Sequence, residues 1–345
     1  MESQDQLPQS EQQGKGTTFL KTCFNGINAL AGLSIWLCWL VLTNNDLTTA
    51  LPAGVGILSI PYALSQGGWL SLMLLFLVAS LCCYTGLLIQ RCMEANPVIK
   101  SYPDIGEIAF GSKGRAMISA FMYLELYLIA VEFLILDGDS LEKLFPNMGF
   151  KIAGLKVGGK RAFVLLTALV ILPTTWLKNL GVMAYLSAGG VLATIAVVVC
   201  VLWTGVGEGV GFHEGNMFVD VGGLPTAISL FTFCYSGHAV FPTLCNSMKD
   251  RSQFSKVLLV CFLVSTISYG FMGIIGYLMY GDILKSQVTL NLPIRKITTS
   301  IAIYTTLISP LTKYAVIITP IATAIEEKFS FGKIRVIVSS SGRCL

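Results

Sequence analysis

The sequence predicts an all-α polytopic membrane protein, and three observations carry that prediction. Charged residues make up 12% of the 345 residues and apolar ones 54%, against about a quarter charged in a soluble globular protein. The apolar residues fall in blocks wide enough for a hydrocarbon core of roughly 30 Å, which takes about 20 helical residues. Glycine and proline recur at one spacing inside two of these blocks. The mean hydropathy of +0.72 agrees with the first two observations.

Residues 1–22 are polar and rich in Gln and Ser, with no basic stretch leading into an apolar run. They read as a disordered cytosolic tail and not as a signal peptide. A transmembrane domain is expected over 23–327 and an atypical tail over 328–345. The first apolar region, Ile27 to Leu64, is too long for one crossing, and "TNNDLTT" (Thr43–Thr49) divides it into halves that are each short for crossing alone. Seven blocks follow: Trp69–Ile89, Ala116–Leu136, Ala162–Leu177, Val182–Trp203, Leu224–Leu244, Val257–Tyr280 and Ile297–Ile325. With the first region as one crossing there are eight spans. The larger share of Lys and Arg then lies on the side of the N-terminal tail, which places that terminus in the cytosol. The net charge of +4 comes from these basic loops, so it reports topology and gives no sign of nucleic-acid binding. The ten cysteines show no CxxC pair and no metal-ligand spacing, so no metal and no cofactor is expected.

Two blocks carry helix breakers. "GVGILSIPYAL" has Gly56 followed five residues on by Pro61, and "FTFCYSGHAVFPTL" has Gly237 followed five residues on by Pro242. A proline forfeits a backbone hydrogen bond, and a glycine tolerates unusual dihedrals. Unwound backbone survives in hydrocarbon only where it is buried in protein or lines a cavity. Two such places, five spans apart, suit an inverted-repeat transporter whose half-helix ends meet at the midplane. An ordinary proline kink in each of two unrelated helices is the other reading of the spacing alone.

"NGINALAG" (Asn25–Gly32), "GVGILSIPYALSQGGWLSL" (Gly54–Leu72), "SYPDIGEIAFG" (Ser101–Gly111) and "FCYSGHAVFPTL" (Phe233–Leu244) resemble the vacuolar amino acid transporters of the amino acid/auxin permease family, in the amino acid-polyamine-organocation superfamily. The resemblance runs from about residue 22 to 327. It implies a leucine-transporter-type inverted-repeat bundle that moves neutral amino acids across the vacuolar membrane, coupled to protons. It also implies a substrate site at Gly54, Val55, Gly56 and Ile57, whose backbone would cradle a carboxylate, facing Cys234, Tyr235, Ser236 and Gly237, whose carbonyls would hold an ammonium. Pro61 and Pro242 would mark the helix breaks. The chain departs from the family pattern twice. Leu33–Gly54 interrupts the first span, as a retained intron or an extra half-span, and the chain is expected to be truncated after about eight spans. Either departure leaves open a transport-incompetent product.

Ionisable groups inside spans are costly and point to function. His238 lies between Gly237 and Pro242, where it is either a proton site or a neutral ring bonded to a freed carbonyl. Glu125 and Glu132, seven residues apart, share one helix face and either relay protons or pair with a cation. Lys313 lies between Pro310 and Pro320, near Ser309 and Thr312; the resemblance implies a tethered ammonium in place of a coupling ion, and the other reading is snorkelling or ion pairing. Phe231, Phe233, Tyr235 and Tyr123 are candidates for a side-chain pocket or for plain packing.

Enzymatic function is not expected. There is no HExxH, the Asp of "YGD" has no clear partner, and "CYSGH" has Cys234 where a serine protease of the membrane would want glycine. A channel would want a repeated filter or rings of like charge, and neither shows in one chain. The expected partners are an amino acid, protons and the lipid bilayer.

Overall fold

In the computed structural model the described residues are 22, 56–146, 148, 150–152, 155–173, 180–212, 215–235, 237–293, 296–308, 310, 313–314, 317–318 and 321. Residues 1–21, the expected insertion Leu33–Gly54 and the tail 328–345 lie outside them. So do Gly54, Val55 and Ser236 of the expected substrate site.

The described residues are mostly helical. In chain order the helices are α1 (Gly56–Gly67), α2 (Leu70–Ala95), α3 (Tyr102–Leu144), α4 (Gly159–Ile171), α5 (Leu180–Gly207), α6 (Leu224–Tyr235), α7 (Phe241–Ser247) and α8 (Phe254–Tyr280). The apolar helix Ile297–Ile308 follows as α9. Among the described residues, four helical stretches are long and apolar enough to cross a membrane: Leu70–Ala95, Tyr102–Leu144, Ala188–Gly207 and Arg251–Ile283. One feature departs from the all-α expectation. The basic loop between α3 and α4 holds an antiparallel hairpin, β1 (Phe150–Ile152) with β2 (Leu155–Val157), pairing Lys151 with Lys156.

The outside of the bundle is apolar and its inside carries the polar groups. On α8, Leu259, Leu263 and Ile267 recur every fourth residue and are exposed, while Ser265, Thr266 and Tyr269 are buried. That inversion is what a lipid environment rewards, because lipid tails solvate Leu while a lone hydroxyl there wants a partner. Between helices in hydrocarbon the holding force is van der Waals packing, and small residues permit the closest approach. α1 packs between α6 and α8 in this way. A Cβ on Gly276 of α8 would stand 2.6 Å from the ring carbons of Pro61, and one on Gly273 2.9 Å from Ile60. α1 continues as a helix through Pro61.

α3 starts with Pro103 in its first turn, and the Asp104 carboxylate accepts from the backbone N–H groups of Lys100 (2.9 Å) and Ser101 (2.8 Å). It then kinks at Gly111, whose φ of 67° is a conformation that a side chain resists. Arg115 bridges back over the kink to Asp104 at 2.9 Å and to Glu107. Before α8, Asp250 accepts from Ser252 N–H (3.0 Å), Ser252 Oγ (2.6 Å) and Gln253 Nε2 (2.8 Å), which hold its carboxyl below the ordinary range.

The loop after α5 folds onto the turn between α1 and α2. The Trp69 indole donates to the Gly215 carbonyl at 2.7 Å, and the backbone N–H groups of Trp69 and Leu70 donate to Met217 (3.3 Å) and Phe218 (3.0 Å). Tyr277 of α8 meets the Trp69 ring edge-on at 5.4 Å and reaches the Met217 carbonyl at 3.4 Å.

Candidate functional site

The block Leu224–Leu244 is two helices and not one. α6 ends at Tyr235 and α7 begins at Phe241, with Pro242 among its first two residues, where a missing N–H costs nothing. Between them Gly237 N–H donates to the Tyr235 carbonyl at 3.1 Å and Val240 N–H to the Gly237 carbonyl at 3.0 Å. A helix end leaves its last carbonyls without intrahelical partners, and a helix start does the same to its first N–H groups. The break in this span therefore exposes backbone groups inside the bundle.

The first turn of α1 meets the last turn of α6. Gly56 and Ile57 are buried, and the buried Ser59 hydroxyl donates to the Gly56 carbonyl at 2.9 Å. The same hydroxyl is in hydrogen-bonding contact with the thiol of Cys234, which is wholly buried. Cys234 also lies within electrostatic reach of Glu132 from α3 and of Lys313, whose side chain is buried. One junction thus holds α1, α6, an acid and a base. The Oε1 atom of Glu132 is buried there without a hydrogen-bond partner.

Tyr235 points away from that junction. Its hydroxyl donates to Thr266 Oγ1 at 2.9 Å, Thr266 passes a hydrogen bond to the Phe262 carbonyl at 2.7 Å, and its ring packs on Phe262 (5.8 Å) and Tyr269 (5.4 Å). The side chain anchors the end of α6 to α8. Phe231 and Phe233 are buried in the core, and Tyr123 is half-buried.

His238, in the break, faces a cavity of about 320 Å³. Glu125 lines the same cavity from α3, with Tyr102, Phe121, Met122 and Ala239. The His238 Nε2 atom lies 2.6 Å from Thr85 Oγ1 on α2, and the ring also hydrogen-bonds the Cys82 backbone. Thr85 Oγ1 is also within donating distance of the carbonyls of Leu81 (3.1 Å) and Cys82 (3.0 Å). Glu125 and Glu132 therefore serve two neighbouring places: the cavity, and the α1–α6 junction two turns further along α3.

Ser59, Thr85 and Tyr102 carry parts of this arrangement that sequence reasoning missed. Only Ser59 left a signal, as the one hydroxyl a turn beyond Gly56. Thr85 and Tyr102 join through helix packing, which their own segments do not announce. Among the described residues no group of three or more His, Cys, Asp or Glu is placed to hold a metal ion.

Residues 36–341 match the family model described as transmembrane amino acid transporter protein. The chain belongs to that family. It is thereby an integral membrane protein of an amino acid transporter family, and the proteins it matches are transporters and not enzymes. The chain is similar to amino acid transporter AVT1I of Arabidopsis thaliana, 48% identical over 95% of this chain and 76% of the relative. It is likewise similar to Arabidopsis thaliana AVT1J, 47% identical over 91% of this chain and 69% of the relative. Against AVT1B of the same organism the identity is 46%, over 82% of this chain and 53% of the relative.

Proposed function

We propose that this transporter moves neutral amino acids across the vacuolar membrane, coupled to protons, by alternating access in a leucine-transporter-type bundle with a cytosolic N-terminus. The observation that carries the reading is the broken span: α6 and α7 part at Tyr235 and Phe241, beside the first turn of α1. In this reading the N–H groups opening α1 hold the substrate carboxylate, since a helix start carries positive partial charge. The carbonyls closing α6 hold its ammonium. Gly56, Ile57, Cys234 and Gly237 supply that backbone.

Protons would enter at the cavity shared by Glu125 and His238. A carboxyl and an imidazole lining one cavity of this size can exchange a proton through solvent. Opening of the cavity would then be linked to the protonation of a residue within the break itself.

Uptake of labelled neutral amino acid into vesicles holding the purified chain tests the reading. An imposed pH gradient drives saturable uptake, and a protonophore abolishes it. Equal uptake with and without the gradient would refute proton coupling, and no saturable uptake at all would refute transport.

A further inference from the structure

Glu132, like Asp137 and Glu208 among the described residues, has a buried carboxylate oxygen that the bundle leaves unanswered, and it is the one that bears on Cys234. Its Oε1 is buried with no hydrogen-bond partner, a state that costs free energy unless a ligand answers it. A proton removes the charge, but the O–H so formed would still need an acceptor of its own. A metal ion would want further ligands of its own kind, and among the described residues none are grouped to supply them.

What surrounds that oxygen narrows the ligand. Glu132 bears on Cys234, in the last turn of α6, where unpaired carbonyls add negative partial charge. Two negative features on one point ask for a cation that donates several hydrogen bonds, and an alkylammonium has three to give. Gly56–Ser59 of α1 lies beside that point, tied to Cys234 through Ser59. The buried Lys313 side chain lies within electrostatic reach of the same thiol. An alkylammonium answers the Glu132 carboxylate, and an anion or an uncharged amide does not.

Resting on the transport reading above, we propose that Glu132 receives the amino group of the substrate, so that the site demands a free, protonated amine rather than an amino acid skeleton alone. Glu132 is then a specificity-determining residue. The carbonyls of α6 orient the ammonium and the carboxylate supplies its counter-charge.

The test uses the full chain in vesicles, with a labelled neutral amino acid as the transported probe. Excess unlabelled amino acid competes for uptake, and its N-acetyl derivative, which keeps the carboxylate and side chain, does not. Glu132→Gln raises KM between about tenfold and about a hundredfold, as loss of a charge-assisted hydrogen bond implies, and leaves Vmax within about twofold of wild type. Glu132→Asp recovers part of the affinity. A merely structural role would lower Vmax or the folded amount and leave KM alone. Wild-type KM in the Gln variant, or equal competition by the N-acetyl derivative, overturns the proposal. If the Gln variant fails to reach the membrane, Glu132→Asp carries the test instead: a KM raised with Vmax kept supports the proposal, and a wild-type KM overturns it. Absence of any wild-type uptake would instead sink the transport reading, and this inference with it.

Discussion

His238 in the break between α6 and α7 and Glu125 on α3 line one cavity of about 320 Å³, although they belong to different spans. The His238 ring is held on α2 by Thr85 at 2.6 Å. Movement of the break relative to α2 must therefore either carry Thr85 along or release the imidazole into the cavity.

That relationship predicts the pH behaviour of transport. His238→Gln keeps a side chain that can bond Thr85 but removes the titratable ring. Gradient-driven uptake should fall about tenfold, corresponding to loss of an interaction of about 1.4 kcal/mol, while exchange of labelled for unlabelled amino acid without a gradient persists. Initial rates across pH on both sides of the vesicle check this. A variant with the wild-type pH profile would remove His238 from the coupling.

Tyr235→Phe removes the hydroxyl that reaches Thr266 and keeps the ring stack on Phe262. Thr266 still bonds the Phe262 carbonyl, so no buried group is stranded. The expected cost is about 1 kcal/mol, read as a lower midpoint of thermal unfolding in detergent.

How much of this was legible beforehand differs from place to place. The break at Gly237–Pro242 could be read because both residues act on their own backbone, and α6 and α7 part between them. Pro61 acts differently: the helix runs through it, and its ring fills the space that Gly276 leaves. The kink at Gly111 hid within a polar connection, since the segment "AFGSKGR" reads equally as a loop. Glu125 and Glu132 share a face, as their spacing requires. That one meets His238 and the other Cys234 depends on the packing of α6, which no local pattern encodes. The hairpin at Phe150–Val157 did carry a local signal, apolar-basic-apolar triplets on either side of a two-residue Ala-Gly connection, but each strand is only three residues long.

Gly276→Ala places a methyl group 2.6 Å from the Pro61 ring, where neither backbone nor ring can yield cheaply. Overpacking of this kind costs about 1–3 kcal/mol. Uptake should fall as α8 and α1 separate, and Gly270→Ala, whose methyl would meet only Leu72 at 3.9 Å, serves as the control that keeps activity.

Gly111→Ala isolates a backbone effect. A Cβ there meets nothing within 4 Å, so the whole penalty comes from holding alanine at φ 67°. About 1 kcal/mol is expected. Urea or thermal titration measures it, and a neutral result would mean that the kink relaxes instead.

Asp250→Ala frays the turn that opens α8. The carboxyl is held below its ordinary range by Ser252 and Gln253, so its contribution is present above the ordinary carboxylate pKa and is lost as pH falls through the depressed value. The difference in unfolding midpoint between wild type and variant should be present at neutral pH and vanish in acid.

The most direct measurement follows both fluxes at once: labelled neutral amino acid and internal pH, in vesicles containing only this chain. The account predicts that adding amino acid moves protons, that a pH gradient moves amino acid, and that His238→Gln uncouples the two. Amino acid movement with no accompanying pH change would contradict it.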